Sequence, residues 1–201
     1  IDITYGFAFT PSELDDTVNK FIPAGFKVHP QRKHQFPQLK ELFCYRELSN
    51  TKRIIRSIGT LGGGNHFIEL NIDGQKNKYL TIHTGSRNLG KQVADYYQRL
   101  AIELCSGKAE FYEHKDELIK EYKRQGRKKE ISRALRDLKR YYRGIEPDIP
   151  KYFCYLEGKY RSQYLNDMRI CQEYASFNRE TIANIILDKL FLGSLDDFES
   201  F

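Results

Sequence analysis

Three consecutive glycines ending on an Asn-His pair, Gly62-Gly63-Gly64-Asn65-His66, stand directly before an extended run, and this arrangement limits what the chain can build there. Glycine admits positive φ and lets another group approach bare main chain, so the segment reads as a polar loop able to meet an anion. His66 to Ile72 and Lys78 to Thr84 then form two extended runs around Asp73-Gly74-Gln75-Lys76-Asn77, which is a hairpin signal. With the turn centred between Gly74 and Gln75, His66 is predicted to stand directly opposite His83. Opposed residues have Cβ atoms about 5 Å apart, suited to one metal ion or to two ions roughly 3.5–4 Å apart. Period-two alternation puts His66, Ile68 and Leu70 on one face and Asn65, Phe67 and Glu69 on the other, predicting metal on one side and a ligand on the other. A lone histidine at a sheet edge is better read as a hydrogen-bonded structural residue. Two in register, each beside a glycine-rich loop, favour a site.

The second loop, Thr84-Gly85-Ser86-Arg87-Asn88-Leu89-Gly90, precedes a helix predicted over Lys91 to Leu104. Free N–H groups at a helix start, with Ser86 and the planar Arg87 guanidinium, suit phosphate or an RNA backbone. Taken alone, the same loop also fits an ordinary capped turn with a surface arginine.

Elsewhere, Ile1 to Thr10 alternates as a strand, and Thr10-Pro11 starts a helix predicted to run to Phe21. Ile22 to Pro37, rich in proline and basic residues, reads as an exposed loop in which His29 and His34 are solvated. Gln38 to Leu48 is a short amphipathic segment, and two helices are predicted at Tyr160 to Phe177 and Arg179 to Leu192. Residues 108–143 form a basic helical insertion in which twelve Lys and Arg fall between Lys115 and Arg143. This insertion fits RNA-backbone tracking and a solvated helical hairpin equally well, and its His114 is given no role. The fold expected is α/β or α+β: a single domain over 1–201, with a mixed sheet holding the hairpin and helices outside it.

A net charge of +6 and a pI of 9.0 are compatible with a polyanionic partner. No eighteen-residue apolar run and no signal-peptide pattern is present. Cys44, Cys105, Cys154 and Cys171 make no metal-knuckle or redox spacing, so the expected setting is reducing and cytoplasmic. A chain that opens without methionine, in a strand, and closes after Leu195-Asp196-Asp197-Phe198 is expected to be a piece of a larger protein.

Gly59-Thr60-Leu61-Gly62-Gly63-Gly64-Asn65-His66-Phe67-Ile68-Glu69 and His83-Thr84-Gly85-Ser86-Arg87-Asn88-Leu89-Gly90 resemble the two central motifs of the RtcB family. Tyr164-Leu165-Asn166-Asp167-Met168 and Tyr174-Ala175-Ser176-Phe177-Asn178-Arg179 are similar to the helix that follows them in that family, so the likeness covers most of the chain. These are GTP-dependent tRNA-splicing and RNA-repair ligases. The resemblance implies two Mn2+ ions and GTP, guanylylation of a histidine, transfer of GMP to an RNA 3′-phosphate, and joining of that end to a 5′-hydroxyl. It also implies that a 2′,3′-cyclic phosphate can be opened first. His66 and His83 would be ligands to different manganese ions, Asn65 a phosphate contact, and Phe67 and Glu69 nucleotide contacts. RNA, as tRNA halves or a broken transcript, would be the partner, with an archease-type activator as a further one.

The family's Asp-x-Gly-Cys-Gly and later His-Asn motifs, and the histidine that carries GMP, have no counterpart in this sequence. The resemblance therefore makes the chain a central fragment, inactive alone. Two other readings stay open: a different metal-dependent phosphoryl-transfer or phosphodiester-cleaving enzyme, and a noncatalytic RNA- or nucleotide-binding fragment.

Overall fold

Pro11 supplies no N–H at a position where a helix has no partner for one, and Thr10 and Glu13 complete the start of α1 (Pro11–Phe21). The Thr10 hydroxyl accepts from Glu13 N at 3.2 Å, and the Glu13 carboxylate accepts from Thr10 N at 2.7 Å. The computed structural model describes residues 9–142, 146–190, 192–193 and 195–197. The strand expected over Ile1 to Thr10 falls almost wholly outside them.

The described residues make an α+β fold of helices and a two-stranded antiparallel sheet. By packing the chain divides into two compact units, Ile1–Val93 with Leu165–Phe201, and Ala94–Tyr164. Residues 108–143 lie within the second.

In the first unit, the 22–37 segment is not an open loop throughout. Leu61 N donates to Pro23 O at 3.0 Å and Gly25 N to Gly62 O at 2.8 Å, pairing it with the glycine loop. His29 is buried at 4% exposure, which corrects its expected solvation; His34 is exposed, edge-on to Phe177. The 38–48 stretch forms 3-10 turns that bury Leu39, Leu42 and Cys44. After α2 (Thr51–Arg56) comes the hairpin of β1 (Phe67–Ile72) and β2 (Lys78–His83). Ile68, Leu70, Leu80 and Ile82 turn inward on Leu14, Ile22, Ile182 and Ile186.

The register differs by one from the expected pairing: Phe67, not His66, stands opposite His83. Asp73 N donates to Asn77 O and Lys76 N to Asp73 O, both at 3.0 Å, and Lys76 takes φ of 68°. This is the three-residue hairpin loop in which a type I turn is followed by a left-handed residue. Asp73 Oδ1 fixes it by accepting from Gln75 N and Asn77 N, each at 2.8 Å.

α3 (Arg87–Glu103) begins four residues before the expected Lys91, so Ser86 lies at its entrance. It passes through a π turn, Leu104–Lys108, into α4 (Ala109–Arg124), which turns at Gly126 into α5 (Ile131–Tyr141). α6 (Gly158–Lys189) is one helix where two were expected. Asn178, at the expected break, directs its amide to other segments and does not compete for the local backbone.

Candidate functional site

Leu61 O joins the two glycine loops. His66 Nδ1 lies 2.9 Å from it and Thr84 Oγ1 donates to it at 2.6 Å. A carbonyl only accepts, so His66 carries its proton on Nδ1 and keeps the Nε2 lone pair available. That is the tautomer a metal-binding imidazole needs, with the ring aimed by a backbone oxygen.

Alternation along β1 is as expected, and the shift in register changes the face on which His83 stands. Ile68 and Leu70 turn into the core, so a metal face shared by His66, Ile68 and Leu70 is not what forms. His83 lies on the open face with Phe67, and their rings stack at 5.1 Å with planes 8° apart. Glu69 is exposed on this same face, and Asn65 is exposed in the loop before it. The expected division into a metal face and a ligand face is thereby corrected. The two histidines still converge, because His66 sits at the loop edge before β1 and its ring centroid is 6.2 Å from that of His83. Among the described residues no group of three or more His, Cys, Asp or Glu side chains converges. The donors present are two imidazoles, one of fixed tautomer, and this pair fits part of a metal centre.

Arg87 is held in the left-handed region at φ 55°. Its Nε donates to Thr60 Oγ1 and its Nη2 to Gly25 O, each at 3.0 Å. Burial lowers the pKa of the guanidinium, which still stays charged at neutral pH. One of its nitrogens thus braces the glycine loop and another the 22–37 segment paired with that loop. A methyl group at Gly62, where φ is 89°, would lie 1.5 Å from Arg87 Nη1 and 2.7 Å from His66 Nδ1. Only a glycine allows those two side chains to meet over the loop. Ser86 packs on Gly90, whose Cβ would lie 2.1 Å from Ser86 Oγ.

α6 supplies what the sequence reading did not assign. Asn178, fully buried, accepts from Gly59 N at 2.8 Å and Thr60 N at 3.2 Å, and donates to Thr60 O at 3.2 Å. Arg179 Nη1 donates to Thr84 O at 3.1 Å, Tyr174 Oη to Ile54 O at 2.7 Å, and Asp167 accepts from Phe43 N and Cys44 N. On the other side His29 Nε2 meets Gly59 O at 2.9 Å. The available signal was the spacing of Asp167, Tyr174, Asn178 and Thr181, which at 3.6 residues per turn share one face.

Two comparisons bear on this arrangement. The family model for tRNA-splicing ligase RtcB matches residues 38–193, a stretch holding both glycine loops, the hairpin and the whole of α6. RNA-splicing ligase RtcB of Escherichia coli strain K12 is 39% identical over 57 residues, covering 28% of this chain and 14% of that protein. RNA-splicing ligase RtcB1 of Escherichia coli strain ATCC 25922 matches to the same extent. The matched stretch therefore spans about a seventh of the length of these relatives. No solved structure matches the chain. With most of its length matched by the family model, this chain belongs to the RtcB tRNA-splicing ligase family.

Proposed function

We propose that this chain is the central part of an RNA ligase that joins 2′,3′-cyclic phosphate or 3′-phosphate ends to 5′-hydroxyl ends, using GTP and manganese. The observation that supports it best is the shared Leu61 carbonyl, which fixes the His66 tautomer and ties both family motifs into one constellation beside His83.

Manganese bound there supplies Lewis acidity to phosphoryl oxygens as charge develops on them. His66 and His83 are the residues that would hold it. Phe67, flat against His83, limits the rotation of that ring. Asn65 presents an amide from a glycine-rich loop, where backbone N–H groups are available to phosphate. Glu69 offers a carboxylate to a nucleotide on the same open face as Phe67. Ser86 lies at the entrance of α3, where the helix dipole favours an anion, and Arg87 holds the adjoining loop in place with a positive charge. RNA is the substrate in this reading, with an archease-type protein as activator.

The test is ligation of a 3′-phosphate RNA to a 5′-hydroxyl RNA by the full-length gene product, with GTP and Mn2+ each left out in turn. Joining should require both, and ligation that proceeds without GTP refutes the reading. His66→Ala and His83→Ala are each expected to reduce GMP labelling of the full-length protein by at least about a hundredfold, as loss of a metal-organising group does. Normal labelling in both variants would remove the metal assignment.

A further inference from the structure

The positive charge of this chain is concentrated in one helical hairpin. Between Lys115 and Arg143 twelve Lys and Arg stand against five Asp and Glu, an excess larger than the net +6 of the whole chain. α4 and α5 close on each other through Phe111 and Tyr142, with ring centroids 5.5 Å apart, and through a 2.8 Å hydrogen bond between Tyr142 Oη and His114 Nδ1. Ile131, Ala134, Leu135 and Leu138 share one side of α5 and are half-buried. Arg133, Arg136 and Arg140 are exposed on the opposite side at i, i+3 and i+7. At 1.5 Å per residue they span about 10 Å.

The acidic residues offset only part of this stripe. Glu121 pairs with Arg124 at 2.8 Å and Glu130 with Arg127 at 2.6 Å, both near the turn, while Asp137 reaches Arg140 only at 3.7 Å. Among the described residues neither Arg133 nor Arg136 has a carboxylate within 4 Å, although Arg133 stands close enough to Glu130 to help hold its pKa below the usual value. A helix kept soluble by its charges gains from opposite signs at i, i+3 and i+4. Here Arg133, Arg136 and Arg140 repeat one sign at i, i+3 and i+7, and Glu130 and Asp137 offset only part of their charge, which leaves a repulsion that a bound polyanion would relieve.

We propose that the Arg133–Arg136–Arg140 stripe of α5 is a binding surface for the phosphodiester backbone of RNA. It takes its polyanion from the ligase reading above, and adds a contact in residues that belong to neither family motif. A membrane surface is the poorer fit, because an interfacial helix needs an apolar face to insert, and the apolar side of α5 is already half-buried.

The experiment is fluorescence anisotropy of a labelled single-stranded RNA with the 201-residue chain, across a salt series. R133Q/R136Q/R140Q should weaken binding about tenfold or more and reduce the slope of log affinity against log salt by about 2, as expected for three lost phosphate contacts. R133K/R136K/R140K keeps the charges and should keep the slope. Far-UV circular dichroism should show the same helix content in both variants. Unchanged affinity and slope in the glutamine variant overturns the proposal. So does preferential capture by phosphatidylserine vesicles that is lost in that variant while RNA binding persists. GMP labelling of the full-length protein separates the two readings. Labelling retained while the glutamine variant binds RNA normally removes this surface alone. Labelling absent in the wild type, with RNA binding weakened by the glutamine changes, removes the ligase and supports the surface.

Discussion

At the scale of single residues, Gly62 and His29 carry the sharpest expectations. Gly62→Ala places a methyl at φ 89°, where a side chain costs about 1–2 kcal/mol, and forces Arg87 Nη1 away from its position. Losing the Arg87 bonds to Thr60 and Gly25 adds to this, so urea unfolding should show a loss of about 3 kcal/mol. Arg87→Ala combined with Gly62→Ala should recover part of the stability, because the closer of the two collisions is gone and only that with His66 Nδ1 remains. His29 is buried, and its removal from water, opposed by the bond to Gly59 O and reinforced by nearby Lys33, holds its pKa below the ordinary value of about 6.5. The folded chain therefore binds fewer protons at this ring than the unfolded chain does. The stability this provides is present above about pH 6.5 and is lost as pH falls through the depressed folded value. His29→Gln should flatten the fall in stability between neutral and mildly acidic pH, as measured by urea midpoints. His66 and His83 were legible as a pair because each adjoins a glycine-rich motif. His29 was not, because proline and basic neighbours look like open loop, and only pairing of 22–37 with the glycine loop buries it.

At the scale of elements, α6 decides how well the site is held. It is predominantly a packing helix, yet Asn178 gives three hydrogen bonds to Gly59 and Thr60 at the root of the glycine loop. Asn178→Ala leaves those buried backbone groups without partners and should destabilise the chain by roughly 3 kcal/mol. Asn178→Asp keeps the acceptor for both N–H groups but loses the donor to Thr60 O, so it should lie between the two. An Asn178→Ala chain as stable as the wild type would show that water replaces the amide and that α6 does not set the loop. The hairpin was legible from alternation and from its turn residues. Its register was not, because the left-handed position that adds the extra loop residue is filled by Lys76 and not by the glycine or asparagine that usually marks it. That one residue decides which side chain faces His83. It also moves His83 to the face of Phe67 and Glu69, which alternation alone could not show without the register.

At the scale of the whole molecule, sequence gave the helical and hairpin content but not the division into two compact units, which depends on which distant segments pack together. The four thiols report on that division. Cys44 and Cys171 are buried in the first unit, and Cys105 and Cys154 are half-buried in the second. Burial and the Asp167 carboxylate push the Cys44 thiol above its usual range, and the same two causes push Cys171 up to about 12. Cys154 is raised as well, by burial and by a hydrogen bond with the free thiol of Cys105. The thiolate is the reactive form, so Cys44, Cys154 and Cys171 should alkylate slowly at neutral pH. Access should nevertheless order them. Brief iodoacetamide treatment at mildly alkaline pH, read by peptide mass spectrometry, should label Cys105 and Cys154 first, and Cys44 and Cys171 only as urea opens the first unit. In Asn178→Ala, the urea concentration that exposes Cys44 and Cys171 should fall while labelling of Cys105 and Cys154 stays as it was. If all four thiols instead become reactive at one urea concentration, shifted together by that substitution, the two units unfold as one and the second has no stability of its own.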